Sequence, residues 1–336
     1  MPSMNFPTVF DCTEMTDAVN KLPAMPLRFA SLFEVKGVKT TTVSLDIKKG
    51  RIVLVSDSER NTAPESLAGR GAKREWKNLS CAHLAMSDVV APEDIQDVRA
   101  FGGTEPVSAA SVLNDKMQQL KNNLTMTAEF HRLGAIKGIV YDAVDGSVLH
   151  NIFDTFGVTK KTQDISFPAT AADNANPILT GILAAKRKLE AAMGGVPFHH
   201  MECIIGSDAY DMLTSHALVR EAFNDWMVRS SFGDNDYRKR GFPYGSITFV
   251  ECSDVVGGKT MVEAKKGHLF PVGPGIFKQY QAPADWMETV NTMGLEYYAR
   301  MDEKPRGRGF DIEVQSNPLT LCTFPEALIE LNFKAA

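Results

Sequence analysis

Thr40-Thr-Thr-Val-Ser-Leu-Asp-Ile-Lys-Lys-Gly-Arg-Ile-Val-Leu-Val-Ser56 is the stretch from which the fold is read. Val43, Leu45 and Ile47 alternate with Ser44 and Asp46, the period-two pattern of a half-exposed strand. Lys48-Lys49-Gly50 supplies a turn, and Arg51 to Ser56 a returning strand. A polar stretch from Asp57 to Lys73, with Gly69 and Gly71, leads to Trp76, so the segment reads as one long hairpin with a loose return. Its charge is distinctive. Residues 36–80 hold ten Lys/Arg against five Asp/Glu, a net of +5, while the whole chain is -5 and the remainder therefore -10. Such a basic extended segment suits either contact with another copy of an acidic protein or a solvated hairpin whose charged edges prevent aggregation.

Around the hairpin, 336 residues with 44% hydrophobic and 23% charged content exclude a disordered or low-complexity chain. The negative total excludes wholesale electrostatic binding of nucleic acid. Cysteines at 12, 81, 203, 252 and 322 form no CxxC, and an odd set of isolated thiols argues against a disulfide framework or zinc knuckle. A soluble protein made in a reducing cytoplasm is expected, with no signal peptide and no membrane-spanning run.

Asp11 to Leu22 predicts a short helix in an arm broken by Pro7, Pro23 and Pro26. Residues 107–136 predict a long helix on which Leu113, Met117, Leu120 and Leu124 form one narrow apolar stripe, with Gln118, Gln119, Lys121 and Asn122 facing away. Ser108 or Ser111 would cap its start, and Gly134 lies near its end. A hairpin around Asp145-Gly146 follows, then a helix from Asn174 to Met193. Residues 195–300 read as a separate α/β unit: a strand at 201–205, a helix from Ser207 to about Trp226, a charged loop 234–241, strands at 246–250 and 259–264, and a Gly/Pro-rich connection from Gly267 to Gly275. Gly309 to Leu331 reads as long antiparallel strands returning to an earlier sheet.

The chemical candidates are few. His199, His200, Glu202 and Cys203 are metal-type ligands, but on a strand they divide between two faces and cannot converge. Cys203, within an apolar run, reads as a buried small hydrophobe more readily than as a nucleophile. Gly69-Arg-Gly71 and Gly307-Arg-Gly309 lack the strand-to-helix setting and the Lys-Ser/Thr pair of a phosphate loop. Arg238-Lys239-Arg240 reads as a solvated loop or a subunit contact. No catalytic, cofactor-binding or metal residue is assigned, and no enzyme is expected.

The order of these parts resembles the tailed-bacteriophage major capsid proteins of the phage lambda capsid protein E family, with the Hong Kong 97 type of α+β fold. The resemblance runs from about Leu27 to Leu331. It rests on Leu27-Arg28-Phe29 with Phe33, Thr40 to Ile47, Gly69-Arg-Gly71, Gly138 to Phe156 with Asp145-Gly146 and Phe153, and Gln315-Ser-Asn-Pro-Leu319 within Phe310 to Leu331.

That resemblance implies a division of the chain. Residues 1–34 would be an N-terminal arm and 35–80 an extended loop overlapping a neighbouring subunit. Residues 81–194 with 305–336 would form a peripheral domain built on spine helix 107–136, and 195–304 an axial domain. It implies a virion shell protein that self-assembles into pentamers and hexamers around double-stranded DNA in the host bacterial cytoplasm. Its partners would be a portal, a separate scaffolding protein, a decoration (cement) protein in some relatives, and DNA packaged without sequence specificity; no membrane and no cofactor are implied. Lys-to-Asn cross-linking is not expected. Candidate inter-subunit residues are Lys48, Lys49, Arg51, Arg70, Lys73, Arg74, Trp76, Arg238, Lys239 and Arg240. An encapsulin-type nanocompartment and, in a different class, a cytoplasmic Cys/His hydrolase are the alternatives.

Overall fold

A computed structural model describes residues 12–23, 25, 27–48, 74–96, 109–168, 176–230, 237–256 and 258–335. They cluster into two compact units. Unit 1 draws on Met1–Val43, Asn78–His131 and Lys278–Thr320, and unit 2 on Ser44–Lys77, Arg132–Phe277 and Leu321–Ala336. Among the described residues no helix is long and apolar enough to cross a membrane.

The chain begins with helix α1 (Cys12–Lys21), as its sequence predicts, and strand β1 (Phe33–Gly37). Strand β2 (Thr42–Lys48) opens the hairpin, and its bonded neighbour is β3 (Arg74–Ser80). The expected returning strand 51–56 and the polar stretch after it lie outside the described residues. Strand β4 (Leu84–Val90) precedes the long helix α2 (Ala109–Lys137).

Helix α2 keeps the predicted stripe: Met117, Leu120 and Leu124 are buried, with Leu113 packed beside them. Three details differ from the sequence reading. Lys121 does not face away but is buried, because its ammonium finds backbone acceptors in the arm. From Leu124 to Ile136 most positions are buried, polar Thr125, Glu129, His131 and Arg132 included, so burial there is not confined to a stripe. Ser111 lies inside the first turn and is no cap, while Ser108 lies outside the described residues. The helix ends at Gly138, whose φ of +85° is a left-handed value and whose missing Cβ leaves room for the Phe153 ring. Gly134 sits within the helix, where a Cβ would meet the Val140 Cα at 2.9 Å.

Strands β5 (Ile139–Tyr141) and β6 (Val148–Asn151) form the predicted hairpin. Asp142 Oδ1 accepts the amides of Val144 (2.7 Å) and Asp145 (3.1 Å), and Gly146 takes a φ of +76°. Helix α3 (Ile152–Phe156), strand β7 (Lys161–Phe167) and helix α4 (Pro177–Met193) follow. Asn176 caps α4 through Oδ1 to the Leu179 amide (3.0 Å), with Pro177 in the first turn. Its buried face is Ile178, Ile182, Ala185, Leu189 and Met193.

Strand β8 (His200–Ile205) matches expectation, but the single helix expected after Ser207 is two: α5 (Ser207–Ser215) and α6 (Ala217–Ser230). His216 breaks them. Its backbone is extended, its Nδ1 accepts the Leu218 amide (3.3 Å), and its Nε2 donates to the Pro168 carbonyl (2.9 Å). Helix α7 (Tyr237–Arg240) occupies part of the charged loop. Next come β9 (Phe242–Tyr244), β10 (Ile247–Glu251), β11 (Val255–Val256) and β12 (Lys259–Thr260). The strand expected at 259–264 is thus only two residues long.

The segment read as a Gly/Pro-rich connection is instead mostly strand β13 (Lys266–Val272), inside the largest sheet. Gly267 is needed there because a Cβ would meet the Ile205 Cγ2 at 2.7 Å. Pro271 is tolerated because β13 pairs with its second neighbour only over residues 266–269, leaving position 271 bonded on one side, opposite Met201. The chain closes with β14 (Phe277–Gln281), β15 (Tyr298–Glu303), β16 (Phe310–Ser316), β17 (Pro318–Cys322) and β18 (Ile329–Ala335).

Unit 2 is built on a mixed sheet of order β7-β18-β13-β8-β10-β9. The closing strand β18 returns to this sheet antiparallel to β13 but parallel to β7, so the expectation of purely antiparallel strands fails there. Unit 1 holds the antiparallel sheet β15-β16-β4, one face of which packs on α1 and α2. Met15, Val19, Met117, Leu120, Leu124, Tyr297, Ala299, Ile312 and Val314 make that core. A second sheet, β1-β14-β17, completes the arrangement.

Candidate inter-subunit surfaces

The hairpin is rooted where the Cys81 amide donates to the Thr41 carbonyl at 2.9 Å, next to the β2–β3 pairing. Lys48 lies in β2, and Arg74 and Trp76 in β3; their backbones are described and their side chains are not. Lys49, Arg51, Arg70 and Lys73 lie outside the described residues. In α7, Arg238 Nε stands 3.8 Å from Oε2 of buried Glu251, so this arginine is engaged within its own chain, while Lys239 is exposed. The Arg240 side chain is not described.

The outward face of β15-β16-β4 is strongly polar. Register places Arg300 opposite Glu313 and Asp302 opposite Asp311. Arg300 Nε bonds Asp302 Oδ2 at 3.0 Å, and its Nη1 lies 3.9 Å from Glu288 Oε2. Those hydrogen bonds to Asp302 raise the guanidinium's pKa above its ordinary value. Lys304 pairs with Asp311 at 3.2 Å. Gln315 Nε2 bridges Asp285 Oδ1 (2.7 Å) and Glu313 Oε1 (2.5 Å). Acids outnumber bases across this face.

Exposed apolar residues are a second surface that the reading missed. Met287, Val290, Met293 and Leu295 lie in unit 1, and Met287 is 89% exposed. In unit 2, Val144 and Val148 sit on the β5–β6 hairpin, and Met227 and Val228 near the end of α6. Their signal was a set of apolar residues at positions where no strand or helix period requires them.

The weighed chemistry separates as strand geometry demands. His200 and Glu202 share one face, with Nε2 and Oε2 4.0 Å apart, while Met201 and Cys203 are buried on the other. Burial drives the Cys203 thiol well above its ordinary pKa, the opposite of what a nucleophile needs. Among the described residues, no group of three or more His, Cys, Asp or Glu could hold a metal ion. Gly307-Arg-Gly309 lies in the turn joining β15 to β16, with φ of +63° at Gly307 and +112° at Gly309.

Comparison with known proteins agrees with this structural picture. Residues 11–333 match the family described as phage major capsid protein E. The chain is 24% identical to the major capsid protein of Pseudomonas phage KPP10, over 96% of each chain. It is also 24% identical to that of Salmonella phage Felix O1, over 90% of each. Among solved structures it resembles the capsid protein of an E. coli CFT073 prophage, with a TM-score of 0.58, 11% identity, and coverage of 97% of this chain and 99% of that one. The cyanophage P-SCSP1u capsid gives 0.51 and 11%, covering 94% and 91%.

Proposed function

The chain belongs to the phage major capsid protein E family, a shell-forming structural protein with the Hong Kong 97-like α+β fold, and from that premise we propose how its copies join. The full-length family match carries the reading. Copies associate as pentamers and hexamers, and the basic hairpin of one copy lies against the acidic outward face of β15-β16-β4 in another. Opposite charge at close range selects register and speeds encounter. Repetition around symmetry axes multiplies contacts that are individually small.

In this scheme residues 1–34 act as the arm, 35–80 as the overlapping loop, 81–194 with 305–336 as the peripheral domain, and 195–304 as the axial domain. Of the charged loop 234–241, exposed Lys239 contributes a subunit contact around the axes, while Arg238 is held by Glu251 of its own chain. Assembly takes place in the host cytoplasm with a portal and a separate scaffolding protein. DNA fills the inner face without sequence preference. The exposed apolar groups at Met287 to Leu295 supply the uncharged part of the contact area.

The test is electron microscopy of the purified full chain beside a variant lacking residues 40–56. Closed shells are expected from the first, and a folded chain without shells from the second. Normal particles from the deletion variant would overturn the role given to the hairpin.

A further inference from the structure

Strand β15 forms one edge of its sheet, and helix α1 closes that edge. Where a further strand would present a carbonyl, α1 presents the Thr16 hydroxyl, which accepts the Ala299 amide at 3.3 Å. Where that strand would present an amide, α1 presents Asn20, whose Nδ2 donates to the Tyr297 carbonyl at 3.0 Å. Positions 16 and 20 are one turn apart, so a single helix face meets both outward backbone groups. The neighbouring positions Met15 and Val19 are buried in the apolar cluster beneath. Lys121, from α2, fixes the last turn by donating to the carbonyls of Val19 (2.9 Å) and Leu22 (2.8 Å). Its ammonium also sits 5.2 Å from the centre of the Tyr297 ring.

An uncovered edge strand is a template for pairing with another chain. We propose that α1 is a guard on the β15 edge, and that with α1 displaced this edge pairs antiparallel with the same edge of a second copy. Charge on the outward face favours that partner. Pairing centred on Met301 sets Arg300 of each copy opposite Asp302 of the other, replacing the Arg300–Asp302 pair that each copy now makes within itself. The contact is isologous and stops at a dimer, so it withdraws subunits from association through any other surface. The guard therefore acts in the free chain, as a device that keeps accumulating copies available for shells.

The test uses the full chain carrying Met15→Asp, which places a charge in the α1 anchor. In chain dilute enough to stay monomeric, hydrogen exchange should rise about tenfold or more at residues 297–301 while β16 stays protected. Sedimentation should show dimers, well separated from shells. Adding Arg300→Asp should remove the dimers. Mixing Met15→Asp/Arg300→Asp with Met15→Asp/Asp302→Arg should restore them, because each unlike pair is then complementary. Protection retained at 297–301, exposure without dimers, or dimers indifferent to Arg300→Asp would each overturn the proposal. If β16 loses protection in Met15→Asp, then Lys121→Gln, which removes the donor to Val19 and Leu22 and the cation over Tyr297, carries the same readouts and the same criteria.

Discussion

His268 is buried within β13. It faces Glu263, whose Oε2 is 3.8 Å from Nε2, and Lys137, which stands 3.8 Å from the same carboxylate. Glu330 is its cross-strand neighbour on β18, held in turn by Lys160 and Lys266. Burial is the largest influence and pushes the imidazole below its ordinary pKa, against the pull of the carboxylates; the Lys137 charge adds to the lowering. A histidine that is harder to protonate folded than unfolded gives the unfolded chain the greater proton affinity. Its contribution to stability is complete above about pH 6.5 and is lost as the pH falls from there toward the folded pKa. Urea midpoints of the unassembled chain should therefore decline between pH 7 and pH 5, and His268→Leu should flatten that decline. An unchanged slope in the variant would place the titration elsewhere.

Helix α2 shows how far the period of a sequence can be read. Met117, Leu120 and Leu124 were legible because an apolar stripe at 3.6-residue spacing has one physical meaning. Lys121 was not: a lysine reads as solvent-facing unless the acceptors that bury it are known, and those belong to Val19 and Leu22, about a hundred residues earlier. The same holds for Glu129, whose Oε1 accepts the Phe29 amide at 2.6 Å. His216 hid a helix break for a related reason, since no common capping residue marks it. Strand β13 was obscured by Gly267 and Pro271, which signal a loop locally but here answer close packing and one-sided pairing. Gly134 gives a test at this scale. By propensity alone, Ala in a helix interior is better than Gly by about 1 kcal/mol. Against the Val140 backbone, Gly134→Ala should destabilise by about 1–3 kcal/mol instead, measured by urea denaturation. A more stable variant would show that β5 yields at no cost.

Across the whole molecule, the sequence told most about charge and least about where it is placed. A +5 hairpin against a -10 remainder was countable. The acidic face that sets Arg300 beside Asp302 and, in register, opposite Glu313 needed the alignment of three strands. If opposite charges drive association, shell formation followed by light scattering should weaken on going from about 0.1 M to 0.5 M salt, as the screening length falls below about 10 Å. Insensitivity to salt would shift the weight to the apolar groups around Met287 and Val290. The position of β18 bears on folding time. This strand bridges β7 and β13, and its Asn332 bonds Asp164 across 168 residues of chain. Neither half of the sheet can be joined until that long loop has closed, an entropic cost met before any of the pairing is gained. Refolding of the isolated chain is therefore expected to be slow, with aggregation competing while the long loop is still open.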